Sequence, residues 1–183
     1  RNPVVEISSD SPDDWSTGTV FIGTEAVLHR IPTADTVIFA DIDRDLGAPR
    51  MTGAHEVLSM IAKAARMVGA KGTLVVQTRQ VENPLIVALS QSDVSTALQT
   101  WSDADSAQRR VMMLPPFGAI ARVLVTDPRS LSEIVLPPGV HTARDEDAIL
   151  LRAPSRIELD AAISLIRSEF GTAVRIHIDP YRF

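Results

Sequence analysis

Apolar and polar positions change rhythm along this chain. Val4–Ser8 and Val20–Gly23 are short β-branched runs that predict strands. Thr36–Asp41 is almost continuously apolar, which predicts a strand buried on both faces of a parallel sheet. Ala54, Val57, Leu58, Ile61, Ala65 and Val68 then recur at three- and four-residue spacing, and Gly69 stands where a helix C-cap belongs. Thr73–Thr78 predicts the next strand. A strand–helix–strand succession of this kind predicts an α/β layer with parallel pairing.

Pro84, after Asn83, opens a further predicted helix at its first position. Another follows from Asp93 to Arg110, polar on several sides. Leu114-Pro115-Pro116-Phe117-Gly118 breaks the chain sharply, and the domain boundary is expected there, with domains at 1–117 and 118–183. Beyond it the predicted elements are a strand at Ala119–Thr126, a short helix at Ser130–Ile134, and strands at Gly139–Ala143 and Asp147–Arg152. An amphipathic helix carrying Leu159, Ala162, Ile163, Ile166 and Phe170 comes next, then a strand at Ala173–Ile178. That order is a small α+β, split-βαβ domain.

Composition narrows the chemistry. Hydrophobic residues at 45% and charged residues at 22% of 183 fit a chain that buries a core. No apolar run approaches the ~20 residues of a membrane helix, so no membrane partner is expected. The start at Arg1-Asn2-Pro3 reads as internal to a larger domain. The absence of cysteine removes disulfides, thiolate metal sites and cysteine nucleophiles, and fits a cytoplasmic location. The net charge of −5 is unlike a free-standing duplex binder, which gains affinity by neutralising phosphates. Yet 16 of the 18 basic residues are Arg, the better donor to phosphate and carboxylate; a GC-rich genome produces the same skew.

Catalytic patterns are mostly excluded. Gly69-Ala70-Lys71-Gly72-Thr73 lacks the spacing of a phosphate loop and reads as a helix-to-strand link. Asp41, Asp43 and Asp45 follow a predicted strand, but Leu46 and Thr52 stand where an EF-hand needs Gly and Glu. They read as a solvated strand-end turn, with magnesium binding as the rival. His29, His55, His141 and His177 show no metalloprotease spacing. No catalytic residue and no metal ligand is assigned.

Several segments, taken in order, resemble the primosomal replication-restart helicases (the PriA helicase family). Phe21-Ile22-Gly23-Thr24-Glu25 is similar to a coupling motif of the second helicase lobe, and Asp43-Arg44-Asp45-Leu46-Gly47 to the acidic run after the next strand. Gly72-Thr73-Leu74-Val75-Val76-Gln77-Thr78 with Asn83-Pro84, the linker Arg109-Arg110 to Pro115-Pro116-Phe117-Gly118, and the closing Ile178-Asp179-Pro180 also resemble family segments. The likeness runs from about residue 20 to the end, and the linker is its most specific part. It implies a partial, RecA-like helicase lobe with a parallel sheet, followed by the α+β domain.

Departures from the family pattern matter most. Aligned without a gap from Gly72, the two motif arginines of an active member fall on Ala64 and Met67, and its Lys-Gly on His29 and Arg30. Motif arginines stabilise charge on the transferred phosphate, an effect of roughly 10³–10⁵ in rate where they are used. Arg66 is one helical step of about 100° away. The resemblance therefore implies a degenerate branch, a DNA-binding scaffold for replication restart without helicase activity. Freed of phosphate, Ala64 and Met67 are expected to join the core. The rivals are an active helicase with divergent motifs and a pure protein-interaction module.

The resemblance also implies partners and cofactors. Branched or single-stranded DNA is expected at the small domain, with Arg109, Arg110, Arg122, Arg152 and Arg175 as candidate contacts; the last three make a basic patch if they share a face. Arg156 matches an Arg that holds the acidic C-terminal tail of single-stranded DNA-binding protein, although Asp160 one turn on repels such a tail. A plain helix start explains Ser155-Arg156 equally. Other primosome or helicase-loading proteins complete the expected partners, at the nucleoid. The family's ATP with magnesium, and its zinc, belong to regions absent or altered here, so no cofactor is expected in this chain.

Overall fold

A computed structural model describes residues 3–11, 20–48, 50–124, 134–145 and 148–180. They pack as two compact units: Arg1–Ala48 with Thr52–Asn83, and Pro49–Met51 with Pro84–Phe183. Residues 130–133 of the helix predicted at 130–134, the last two residues of the strand expected at Ala119–Thr126, and the start of the strand expected at Asp147 fall outside the described residues. Residues 84–117, grouped by the sequence with the first lobe, pack within the second unit.

The described residues of the first unit form two parallel strand pairs and three α-helices. β1 (Val4–Ile7) pairs with β2 (Val20–Gly23), Val4 opposite Val20. α1 (Ala26–Arg30) follows. β3 (Thr36–Phe39) pairs with β4 (Thr73–Val76), Thr36 opposite Thr73. Between these lie α2 (Asp43–Leu46) and α3 (Gly53–Val68), so β3, α3 and β4 form a βαβ unit.

α3 buries Val57, Ile61, Ala64 and Met67, one stripe at four- and three-residue steps. That stripe lies beside the predicted one, since Ala65 is exposed and Ala64 takes its place inside. The helix ends at Gly69, whose φ of +61° is left-handed and favours a residue without a Cβ.

β3 is not buried on both faces as its sequence predicts. Val37 and Phe39 are half-buried, whereas Ile38 is 63% exposed and Val75 of β4 42%. The pair carries α3 on one side, and its Ile38–Val75 side lies open. An apolar run thus marks a strand correctly without fixing how many faces are covered.

The second unit begins with α4 (Pro84–Leu89) and α5 (Val94–Val111). Asp93 caps α5 by accepting from the Thr96 N–H at 3.1 Å. The Pro115–Pro116 bond is cis. Gly118 follows because a Cβ there would sit 2.4 Å from the Met113 carbonyl oxygen.

Next come β5 (Ala119–Leu124), β6 (His141–Asp145), β7 (Ala148–Ala153), α6 (Arg156–Phe170) and β8 (Arg175–Ile178). Their sheet has the order β6-β7-β5-β8, every neighbour antiparallel. β7 and β8 therefore run parallel with β5 between them, joined by α6: a split βαβ unit. The chain is mixed α/β in class. Among the described residues no helix is long and apolar enough to cross a membrane.

Ala119, Ala121, Val123, Ile149, Leu151 and Ala153 line the sheet face under α6, which contributes Leu159, Ile163 and Ile166. Leu159 is fully buried there. Leu159→Ala is expected to cost about 2–5 kcal/mol, read as a lowered urea midpoint; an unchanged midpoint would mean that α6 does not hold the sheet.

Candidate functional site

In the antiparallel sheet, residues opposite one another share a face, as do residues two apart on one strand. Ile120 lies opposite Arg152, Arg122 opposite Leu150 and His177, and Leu124 opposite Ala148 and Arg175. His141 lies opposite Arg152 and Ala143 opposite Leu150. Arg122, Arg152 and Arg175 therefore stand on the face away from α6, together with His141 and His177.

Arg175, His177 and His141 are exposed, and Arg122 and Arg152 half-buried. Leu124 and Leu150 lie among them, also half-buried. Asp145 takes the corner position opposite Ala148, separated from Arg175 by two strands. The result is a mixed face, since Ile120 and Ala148 on the same side are fully buried and the exposed positions are Arg175, His177 and His141.

Arg152 donates from Nη1 to the Met112 carbonyl at 3.4 Å, and its Nε is buried without a hydrogen-bond partner among the described residues. Such a donor costs free energy until it finds an acceptor.

The two linker arginines behave differently. Arg109 pairs with Asp105 at 2.6 Å, and donates to the carbonyls of Pro115 at 3.3 Å and Met51 at 2.5 Å. At 15% exposure its guanidinium fixes the end of α5 and the proline turn. Arg110 is exposed and stacks on Phe117, 4.5 Å from the ring centroid.

Phe117 lines a cleft of about 380 Å³ with Pro115, Pro154, Ser155, Arg156 and Asp179. Ser155 caps α6 by accepting from the Ile157 N–H at 3.1 Å. Its hydroxyl also donates to Glu158, a contact that holds the Glu158 carboxyl below its ordinary range. Arg156 pairs with Asp160 at 2.9 Å and with Asp179 at 3.6 Å. Its fork is thus flanked by two carboxylates, one of which is the Asp160 marked in the sequence as a repulsive neighbour.

The altered coupling positions lie in the first unit. Ala64 is fully buried and Met67 is 8% exposed, so both belong to the packing of α3. Arg66 is exposed, and its Nε donates to the Ala62 carbonyl of its own helix at 3.3 Å. His29 lies 2.7 Å from Lys63 Nζ and 3.4 Å from Glu25, all near the surface.

Arg30 reaches across to the turn after β1. Its Nη1 donates to the carbonyls of Ser8 at 2.9 Å and Ser11 at 2.8 Å, and its Nη2 to Ser9 at 2.9 Å. Sequence reasoning placed Arg30 as an altered motif residue and missed this stapling. The signal for it is tertiary, because the partners lie about twenty residues upstream.

Asp43, in the Asp41–Asp45 run, holds two turns together. Its carboxylate accepts from the Thr78 hydroxyl, and from the Arg79 N–H at 2.9 Å. These bonds, the Thr78 hydroxyl first, hold the Asp43 carboxyl below its ordinary range. The side chain ties the turn after β3 to the turn after β4. Among the described residues no group of three or more His, Asp or Glu is placed to hold a metal ion.

The chain matches no protein-family model and no curated protein sequence.

Arg30→Ala is expected to lower stability by about 1–3 kcal/mol, the scale of charge-assisted hydrogen bonds lost from three carbonyls. Equal urea midpoints in the two proteins would show that water replaces the guanidinium without loss.

Asp43 sets an acid limit of definite sign. Its pKa is lowered in the folded state, so its stabilisation is fully present above the ordinary carboxylate value of about 4. It is lost as pH falls through the lowered value. Asp43→Asn should then lower the urea midpoint near about pH 6 and flatten its decline toward about pH 2.5. Parallel declines in the two proteins would show that Asp43 is not linked to folding.

Proposed function

We propose that this chain belongs to a replication-restart protein, in which it acts as a DNA-binding scaffold at stalled or branched forks and does not hydrolyse ATP. The observation that carries the reading is the register placing Arg122, Arg152 and Arg175 on one sheet face. A face with that charge meets phosphate, the sequence-independent part of any polynucleotide.

The first unit supports the second half of the proposal. Its βαβ unit is compatible with a RecA-like lobe. Where the resembling helicases present two guanidinium groups, Ala64 and Met67 lie inside. A methyl group and a thioether offer no charge to a transferring phosphate. Arg30, another altered motif position, is spent on Ser8, Ser9 and Ser11.

A protein-interaction role is the second reading, and the cleft beside Arg156 favours it. The partner proposed there is the acidic tail of single-stranded DNA-binding protein, which would have to displace Asp160 and Asp179 from the guanidinium. Exposed pairs of this kind contribute about 0–1 kcal/mol, so a multivalent acidic peptide competes with them. Other primosome or helicase-loading proteins are proposed partners, and a nucleoid-associated location goes with the role.

The test measures ATP turnover and fork binding on one preparation. The expected outcome is salt-sensitive binding of a forked duplex with no DNA-stimulated phosphate release. DNA-stimulated turnover would end the scaffold reading in favour of a motor, and failure to bind forks at low salt would leave only the interaction module.

A further inference from the structure

Arg156 opens α6. A guanidinium has two edges that can take a carboxylate as a bidentate fork, Nε with Nη2 and Nη1 with Nη2. On Arg156 each edge has already lost one nitrogen to the chain itself. Nε donates to the Asp160 carboxylate at 2.9 Å, one turn further along the helix. Nη1 lies 3.6 Å from the Asp179 carboxylate, which lines the same cleft. Neither edge is left whole for a carboxylate arriving from outside.

The two carboxylates are held by different means. Asp160 sits on an exposed turn of α6, where four-residue spacing sets it beside Arg156. Asp179 is fixed through its backbone. Its N–H donates to the Ile120 carbonyl at 2.9 Å, and its φ of +46° is left-handed, a conformation that Asp and Asn adopt more readily than other residues with a side chain. The bond to β5 keeps Asp179 at the wall of the cleft independently of Arg156.

We propose that Asp160 and Asp179 form an autoinhibitory clamp, which occupies the Arg156 guanidinium and holds the cleft against acidic peptides until one of them is displaced. The inference rests on the interaction reading above and names how that site is regulated. Displacement is feasible because all three side chains are half in water: Arg156 is 52% exposed, Asp160 55% and Asp179 58%. Exposed pairs are weak, so the clamp is a threshold and not a lock.

The clamp reverses the ordinary effect of salt. An incoming carboxylate exchanges with one already in place, so no ion pair is gained. It also approaches one positive and two negative groups, a local sum of +1 − 2 = −1. Salt then screens mainly the repulsion that opposes the complex. Binding to an unclamped arginine falls with salt instead.

The experiment is fluorescence anisotropy of the full chain with a labelled peptide of four aspartates, leucine and phenylalanine with a free C-terminal carboxylate, at about 50 and about 500 mM KCl. D160A and D179N are the informative changes, because alanine suits an exposed helical turn and asparagine keeps the left-handed backbone. Each should tighten binding about 1.4- to 5-fold at the lower salt, and the two together about 2- to 25-fold. The unaltered chain should bind as well or better at the higher salt, and the double variant worse. Adding R156A to the double variant should remove the gain. E169A deletes an exposed carboxylate more than two turns beyond Asp160 on α6, and should change binding less than about 1.4-fold.

The clamp is overturned if the double variant binds no more tightly than the unaltered chain, if the gain survives R156A, or if both proteins lose affinity with salt alike. Should R156A weaken the unaltered chain while D160A and D179N change nothing, the clamp falls and the interaction reading stands. If neither the unaltered chain nor any variant binds the peptide, both fall. Should the double variant prove unfolded by circular dichroism, D160A alone carries the test, with the gain expected for one carboxylate.

Discussion

Antiparallel pairing of β5 with β7 on one side and β8 on the other decides what every strand residue of the second unit faces. Side chains alternate along a strand, so a slip of one residue would exchange the two faces of the sheet. Such a slip is resisted by the apolar set under α6. Ala121, Val123, Leu151 and Ala153 are essentially inaccessible, and each would lose its packing against α6. At roughly 25 cal/mol per Å² of apolar surface, burial of that size exceeds any pairwise charge term on the opposite side. The hydrophobic face thus holds the basic face in place, although no arginine contributes to the packing that does so.

A different constraint shapes the first unit. α3 has one stripe to bury, and Ala64 and Met67 fall on it between Ile61 and the end of the helix. An arginine at Ala64 would have to find a partner for a guanidinium within that packing or push the helix away from it. Nearby polar side chains hold the backbone together. Arg30 takes three carbonyls of the turn after β1, and Asp43 takes the hydroxyl and N–H of the turn after β4. Loops that would be free to embrace a nucleotide are tied down by these contacts.

Much of the fold was legible because it depends on local spacing. The helix burying Leu159, Ala162, Ile163 and Ile166, the Pro84 start of α4 and the glycine end of α3 all follow from periodicity and cap chemistry. Face coverage was less legible. The run from Thr36 to Asp41 is as apolar as a central strand, yet what covers Ile38 is a property of neighbours and not of the run. The packing of residues 84–117 within the second unit was equally hidden, because a bond such as that from Arg152 to the Met112 carbonyl spans forty residues and leaves no local pattern. Three arginines on strands could be listed from the sequence. Their alignment could not, because register is a relation between strands and each arginine lies on a different one.

Net charge looked like the strongest objection to a polynucleotide partner, and the geometry weakens it. Charges act over a screening distance of about 8–10 Å at moderate ionic strength. What matters is therefore the local balance on the face that meets the ligand. Asp160 lies on α6, on the opposite side of the sheet, where it is paired with Arg156. Asp105 is taken by Arg109, and Asp93 caps α5. These carboxylates count in the total of −5 but are committed to helix ends and local pairs. A chain acidic as a whole can in this way keep a locally basic stretch, as where Arg152 and Arg175 stand on the outer side of the sheet.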